Sequence, residues 1–73
     1  MTYRLNSVDD VKALYSLCFK YKDELSFDVK CGSRTIDGLS ILGLTMLMGN
    51  TVVVTAIGDE SKVQNFYDKL EEL

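Results

Sequence analysis

Apolar and polar residues alternate in two stretches of the chain, which is the pattern of strands that have one face toward water. The longer stretch is Leu25–Cys31, in which every second residue is apolar, and the shorter is Thr2–Leu5. Gly32-Ser33 predicts a tight turn into Arg34–Ile36, so the second and third strands form a hairpin. Thr51–Ile57 is rich in β-branched residues and predicts a strand near the middle of the sheet.

Apolar residues recur at three- and four-residue intervals in two further segments, which predicts two amphipathic helices. The first helix follows Ser7 and ends near Tyr21. Ser7 and Asp10 have the spacing of a capping box, with aspartate in place of the usual glutamate. The last helix follows the turn Gly58–Ser61. The predicted apolar faces are Val8, Val11, Leu14, Tyr15, Cys18 and Phe19 in the first helix, and Val63, Phe66, Tyr67, Leu70 and Leu73 in the last.

A third helical segment, Ser40–Met48, is apolar on nearly all sides. Ser40 stands at the N-cap position, where its oxygen can accept a hydrogen bond from a free amide of the first turn. Gly49-Asn50 ends the segment. Because a small protein has one core and can cover only one side of this helix, we expect the other side to be partly exposed, as a partner surface would be.

The predicted order of elements is β-α-β-β-α-β-α within a single domain, 1–73, since 73 residues leave no room for a second. Alternation in two strands indicates that only one face of the sheet is covered. Three helices must then lie on that face, which gives a two-layer, open-faced α+β sandwich. Ferredoxin-like and ACT-type ligand-binding domains remain alternatives, because they share the βαββαβ core.

The residue types present exclude the catalytic chemistry that depends on histidine. The chain has no histidine, so it has no Ser-His or Cys-His nucleophile pair and no histidine-held metal. Cys18 and Cys31 lack metal-ligand spacing and are predicted to be buried small hydrophobes. Adjacent carboxylates occur only in caps, loops and a polar helix end, where a solvated surface is expected. We therefore predict no enzyme, no metal and no cofactor.

Charge and hydropathy narrow the class of partner. The net charge is −3 and the lysines are scattered, which argues against nucleic-acid binding. The chain has no basic-then-apolar leader and no apolar run of the ~20 residues that a membrane helix needs. We expect a cytoplasmic protein with no membrane partner.

The second half of the chain resembles the HPr phosphocarrier proteins of the sugar phosphotransferase system. In that family a strand leads to a Ser-Ile-(Met/Leu)-Gly helix, then to Gly-x-x-(V/I)-x-(V/I)-x-A-x-G and a last helix. The counterparts here are Ser40–Gly43, read S-I-L-G, and Gly49–Gly58, read G-N-T-V-V-V-T-A-I-G. The resemblance implies an HPr-like sandwich with a four-stranded antiparallel sheet and three helices on one face.

At the family's active site the chain departs from the pattern. In HPr proteins a histidine just before the first helix carries the phosphoryl group, and an arginine two residues on neutralises the phosphate. The matching positions here are Ser7 and Asp9, which supply neither an imidazole nor a positive charge. Ser7 and Asp9 are therefore degenerate active-site positions, and we expect no phosphate to be carried on histidine.

Ser40 aligns with the serine that a dedicated kinase phosphorylates in Gram-positive relatives. The catabolite-repression HPr homologues lack the histidine and retain this serine, so the resemblance makes Ser40 a phosphorylation candidate. A phosphate at a helix N-terminus is physically reasonable, because free amides stabilise it. The plainer alternative is that Ser40 is only an N-cap, worth about 1 kcal/mol.

Ile41, Leu42 and Thr45 correspond to the patch by which the HPr family docks on its partners. Met46 joins them as a predicted docking residue, because methionine at an exposed edge suits an adaptable contact. In the plainer interpretation, the exposed residues are Leu42 and Met46, and the core residues are Ile41, Leu44 and either Leu47 or Met48.

Two functions of different classes follow. The first is a non-catalytic HPr-like protein that docks on a protein partner through Ser40–Met48, with regulation by phosphorylation of Ser40. The second is a small ligand-binding or oligomerising βαββαβ domain. A homodimer is compatible with both.

Overall fold

Four strands form one antiparallel sheet in the computed structural model, which describes every residue from Met1 to Leu73. Three helices lie on one face of that sheet. The strands are β1 (Thr2–Arg4), β2 (Leu25–Cys31), β3 (Arg34–Asp37) and β4 (Thr51–Gly58), and the helices are α1 (Val8–Lys20), α2 (Ile41–Met46) and α3 (Glu60–Glu71). The fold is thus an α+β open-faced sandwich with the predicted order of elements.

The sheet has the strand order β1-β4-β2-β3, so β4 lies in its middle, as predicted. β4 pairs with β1 on one side and with β2 on the other, and every pairing is antiparallel. Cross-strand partners such as Phe27 and Ala56, or Val29 and Val54, are buried on the same face. The residues between them are exposed. The helices therefore cover one face only, and the outer face of the sheet meets water.

The hairpin between β2 and β3 turns at Gly32-Ser33, as the sequence predicts. Gly32 has φ of 60°, in the left-handed region that residues with a side chain rarely adopt. Glycine at the first of two turn positions is typical of a type II′ turn, whose twist matches that of the strands. The prediction that Cys31 is buried is only partly right, because its place beside this turn leaves it half-buried.

Phe66 of α3 lies at the centre of the core. Its ring centroid is 4.7 Å from that of Phe27, 5.7 Å from that of Tyr21 and 5.9 Å from that of Tyr67. Burying such a side chain stabilises the fold by about 1.5–3 kcal/mol. The other core residues are Leu5, Val11, Leu14, Leu17, Cys18, Leu25, Phe27, Val29, Leu44, Leu47, Val52, Val54, Ala56 and Leu70.

α1 begins as predicted but buries a different face. The Oγ of Ser7 accepts a hydrogen bond from the Asp10 amide at 3.3 Å, and Oδ2 of Asp10 accepts one from the Ser7 amide at 3.2 Å, so both halves of the capping box form. The prediction that Val8 and Phe19 face the core is wrong, since each is 52% exposed. Leu17 is buried instead, and α1 packs against both α2 and α3.

α3 is capped by Asp59. Its Oδ1 accepts hydrogen bonds from the Ser61 hydroxyl at 2.6 Å, the Ser61 amide at 3.0 Å and the Lys62 amide at 3.4 Å. These bonds, that of the Ser61 hydroxyl above all, lower the pKa of Asp59. The prediction that Leu73 belongs to the apolar face is wrong, because α3 ends at Glu71 and Leu73 is exposed beyond it.

α2 approaches β3 closely because Gly43 has no side chain. A Cβ at Gly43 would lie 2.5 Å from the Cγ2 of Ile36, which is closer than real atoms of this kind approach. This contact seats α2 over the edge of the sheet, with Leu44 and Leu47 in the core. A side chain at position 43 would lift α2 away from β3 and loosen both leucines.

We predict that Gly43→Ala lowers the free energy of unfolding by about 1–3 kcal/mol, the usual cost of overpacking, although alanine favours a helix more than glycine does. Chemical denaturation measures the loss. The control is the same substitution in an Ile36→Ala background, where both close Ile36 carbons are gone, only the Ser40 Oγ at 3.0 Å remains near, and Gly43→Ala should cost less. Equal losses in the two backgrounds would contradict this account of α2.

Candidate functional site

The outward side of α2 forms an apolar surface. Leu42 is 78% exposed and Met46 is 67% exposed, and Ile41 and Thr45 are exposed beside them. All four predicted docking residues therefore lie outside the core. Ile41, which the plainer interpretation places in the core, is on the outside as well.

α1 extends this surface. Val8, Tyr15 and Phe19 are separated by seven and four residues and therefore share one side of the helix. The opposite side carries Asp10, whose backbone carbonyl accepts a hydrogen bond from the Tyr3 hydroxyl at 3.4 Å. α3 ends beside Asp10, where both line one pocket. Since α1 packs against both other helices, α2 lies on the side of Val8, Tyr15 and Phe19.

Backbone hydrogen bonds and close packing hold α1 and α2 as antiparallel neighbours. The Leu5 amide donates to the Asn50 carbonyl at 3.0 Å and the Gly49 amide donates to the Leu5 carbonyl at 2.6 Å, which joins the start of α1 to the end of α2. Past the other end of α2, the Sγ of Cys18 lies 2.9 Å from where a Cβ on Gly38 would be. The two helices thus present one helix surface: Val8, Tyr15, Phe19, Ile41, Leu42, Thr45, Met46 and Met48.

The helix surface is uncharged at its centre and has lysines at its α1 border. No charged residue occurs between Asp37 and Asp59. The Nζ of Lys22 lies 5.4 Å from the ring centroid of Phe19, within the range of a cation–π contact. Lys12 is exposed on the same side of α1 as Phe19. The α1 share of this surface is not predicted by the sequence pattern, which assigns its apolar residues to the core.

Ser7 and Asp9, the degenerate active-site positions, lie at the start of α1. The hydroxyl of Ser7 serves as the helix N-cap. The Asp9 side chain is exposed and forms no hydrogen bond or ion pair. Ser7 lies near the end of α2, whereas Ser40 lies at its start, so the structure does not bring the two serines together.

Ser40 occupies the N-cap position of α2, as predicted. Its Oγ accepts a hydrogen bond from the Gly43 amide at 3.2 Å. The nearest charged residue along the chain is Asp37, whose Oδ1 accepts a hydrogen bond from the Leu39 amide at 2.9 Å. A phosphate on Ser40 would thus have a carboxylate as its nearest charged neighbour in the chain. Phosphorylation of Ser40 stays a prediction.

An open pocket of about 350 Å³ lies at the edge of the sheet beside β1. Its walls come from β1, the start of α1 and the end of α3, and include Tyr3, Asp10 and Glu71. Burial raises the pKa of Tyr3, and the neighbouring charge of Asp10 adds to this effect. The sequence does not predict this pocket, because opposite ends of the chain form it. Nowhere do three residues of His, Cys, Asp or Glu come together to hold a metal ion.

Cys18 lacks the features of an activated nucleophile. Burial raises the pKa of its thiol to about 12, and the charge of Asp37 contributes in the same direction. Reactivity requires the thiolate, which forms readily in exposed, electropositive surroundings. Cys18 is therefore a core residue, as predicted.

Comparison of the chain with protein-family models, with curated proteins and with solved structures finds no match. None of the three helices combines the length and the apolar character needed to cross a membrane. The resemblance to HPr proteins therefore rests on Ser40–Gly43 and Gly49–Gly58.

We predict that iodoacetamide at pH 8 modifies Cys31 while the protein is folded and modifies Cys18 only when it unfolds. Cys31 is half-buried at a strand end, whereas burial keeps the Cys18 thiol protonated. Mass spectrometry of peptides from timed samples measures both rates, and Cys31→Ser isolates the slow one. Equal rates for the two thiols in the folded protein would show that Cys18 is accessible.

Ser40→Ala should lower the free energy of unfolding by about 1 kcal/mol, because the Gly43 amide loses its acceptor. Ser40→Asp is the matched control, since aspartate is an equally good N-cap. Chemical denaturation of both variants gives the comparison. If Ser40→Asp loses as much stability as Ser40→Ala, the hydroxyl has a role other than capping.

Proposed function

We propose that this protein is a non-catalytic cytoplasmic domain that docks on a protein partner through the helix surface. The observation that carries the proposal is the exposure of Leu42 and Met46 on a helix whose other side fills the core. Fully exposing a leucine or methionine forfeits about 1.5–3 kcal/mol of burial. Two such residues side by side, continuous with exposed apolar residues of α1, form a patch of the kind that marks interaction sites.

The chemistry of the helix surface suits a protein partner better than a small ligand. Small-molecule sites are concave, and the one pocket of the protein lies beside β1, away from the helix surface. Methionines such as Met46 adapt their shape to a contacting surface. Lys12 at the border favours an acidic group at the rim of the partner, whereas Lys22 is ion-paired with Asp23.

The resemblance to HPr proteins supports the same surface, because Ile41, Leu42 and Thr45 match the docking patch of that family. The departure at Ser7 and Asp9 separates docking from phosphate transfer, since the chain has no histidine to carry a phosphoryl group. In this proposal the protein retains docking without phosphotransfer.

Phosphorylation of Ser40 would act on docking in this proposal. Ser40 directly precedes Ile41 and Leu42 in the chain. A phosphate carries nearly two negative charges at neutral pH and would disfavour burial of the adjacent apolar residues in an interface. Ser40→Asp should thus weaken partner binding while it leaves the helix cap intact.

The pocket beside β1 favours a second function, a small ligand-binding domain. Its volume of about 350 Å³ is within the range of small-molecule sites. It lies beside β1 and the end of α3, so Leu42→Glu on α2 would leave ligand binding there unchanged. Docking depends on Leu42 and ligand binding in this pocket does not, so Leu42→Glu distinguishes the two functions.

We predict that Leu42→Glu leaves the free energy of unfolding within about 0.5 kcal/mol of wild type, because this side chain lies in water. Leu44→Glu should unfold most of the domain. It removes a fully buried leucine and places an unpaired charge in the core, at a cost comparable to the whole stability of a small domain, about 5 kcal/mol. Thermal and chemical denaturation measure both.

The docking test compares wild type, Leu42→Glu and Asn65→Glu as baits in extracts of the cells that make the protein. Asn65 is exposed on α3, so its variant carries the same added charge away from the helix surface. A protein retained by wild type and Asn65→Glu, lost with Leu42→Glu, and bound directly by purified wild type would support the proposal. Equal retention by all three baits, or none by any, would refute docking at this surface.

A further inference from the structure

The outer face of the sheet has a definite arrangement of charge. Cross-strand pairing sets Val53 of β4 beside Lys30 of β2 in one row, and Thr55 beside Asp28 in the next. β3 continues these rows with Thr35 beside Lys30 and with Asp37 beside Asp28. Each row therefore carries charge of one sign: Lys30 alone in the first, Asp28 and Asp37 in the second.

The two carboxylates of the second row are unfavourably placed in a single molecule. Directly opposed residues of antiparallel strands have Cβ atoms about 5 Å apart, and like charges there are destabilising. Neither Asp28 nor Asp37 forms an ion pair, and neither does Lys30. Asp28 and Lys30 are thus unpaired charges of opposite sign one row apart, whereas Oδ1 of Asp37 accepts a hydrogen bond from the Leu39 amide.

The middle of the same face is uncharged and partly apolar. β4 contributes four β-branched residues to it, of which Val53 is 44% exposed and Ile57 is 51% exposed. The other two are Thr51 and Thr55, and the guanidinium of Arg4 on β1 donates a hydrogen bond to the Oγ1 of Thr51 at 3.3 Å at the border of this ridge. An apolar ridge bordered by unpaired charges is the composition of a contact surface rather than of a face that only meets water.

We propose that this face pairs with the same face of a second copy of the chain, around a two-fold axis that runs across the strands between the rows of Val53 and Thr55. Such an axis exchanges the two rows. Lys30 of each copy then lies across from Asp28 of the other, and Thr35 lies across from Asp37. Stacked sheets are about 10 Å apart, a gap that lysine and aspartate side chains can span together.

The same operation places β4 over β4 of the second copy, with Val53 across from Thr55 and Thr51 across from Ile57. The alternative two-fold axis, parallel to the strands, leaves the rows in register. It would set Lys30 against Val53 and Asp28 against Thr55 when β2 lies over β4, so each charge would be buried without a partner. Charge complementarity therefore selects the axis across the strands.

The helix surface does not fit a second copy in the same way. Two-fold pairing there would bring Lys12 toward a surface that holds no acidic residue to oppose it, and Lys22 is already ion-paired with Asp23 at 3.2 Å. The outer face of the sheet is thus the self-complementary surface, and the inference does not depend on the proposed docking function.

The paired sheets predict a weak, salt-sensitive dimer. A face about 20 Å on each side gives about 800 Å² of buried surface in total, below the size of most stable interfaces. In so small an interface the two ion pairs remain close to water and are screened by salt. Sedimentation equilibrium up to about 1 mM protein, above the micromolar range of weak pairs, should show a dimer that dissociates more readily as salt rises.

Charge reversal tests the geometry. Asp28→Lys sets lysines against Lys30 of the second copy, and Lys30→Asp sets carboxylates against Asp28, so each variant should dimerise at least tenfold more weakly than wild type. An equal mixture of the two variants restores opposite charges and should regain association to within threefold of wild type. Asn65→Lys on α3 is the control for added charge and should not change association.

Thermal melting of the monomer distinguishes a role of Asp28 in dimerisation from a role in folding. Asp28→Lys replaces the opposed carboxylates by a lysine beside Asp37, so its monomer should melt at or above the wild-type temperature while its dimer is weakened. A wild-type chain that stays monomeric at about 1 mM would overturn the inference, since weak pairs associate well below that concentration. A dimer that Leu42→Glu abolishes and that both charge reversals leave intact would also overturn the inference. That result would still be compatible with docking at the helix surface.

Discussion

The antiparallel pairing of β2 with β4 is the interaction on which the rest of the structure depends. The buried face of this strand pair consists of large and small apolar residues, among them Phe27, Val29, Val54 and Ala56. All three helices share this buried face, and the outer face carries Asp28 and Lys30 beside the exposed residues of β4. α3 packs against β4, α1 packs against both other helices, and the six-residue α2 rests over the edge strand β3. No element of the chain covers the other side of α2, and that uncovered side is the α2 part of the helix surface.

The sequence predicts most of the secondary structure, because helix caps, turns and strand alternation depend on residues close together in the chain. The capping box of Ser7 and Asp10, the N-caps at Ser40 and Asp59, and the turn at Gly32 each act within a few residues. The alternation in β2 and β4 also fixes which face of the sheet is covered. Local signals of this kind do not require knowledge of distant neighbours.

The predictions that fail concern how elements meet. Periodicity shows that α1 has an apolar side but not how the helix is rotated, and Val8 and Phe19 lie at the margin of that side. Their exposure depends on where α2 and α3 fit beside α1. Likewise the pocket near Tyr3 requires the two ends of the chain to meet, and the contact of Gly43 with Ile36 requires α2 to cross β3. The candidate site is predicted on α2, where composition alone signals exposure, and missed on α1.

The uncharged stretch between Asp37 and Asp59 has a consequence for the unfolded chain. It contains β4, a run of β-branched residues with neither charge nor proline, which is the composition of segments that assemble into intermolecular β-structure. In the folded protein both edges of β4 are occupied, by the long β2 on one side and by the three-residue β1 on the other. β1 therefore protects one edge of β4 from pairing with strands of other chains. The shortest element of the sheet stands between the most aggregation-prone segment and other chains, and resistance to aggregation depends on how firmly those three residues stay in place.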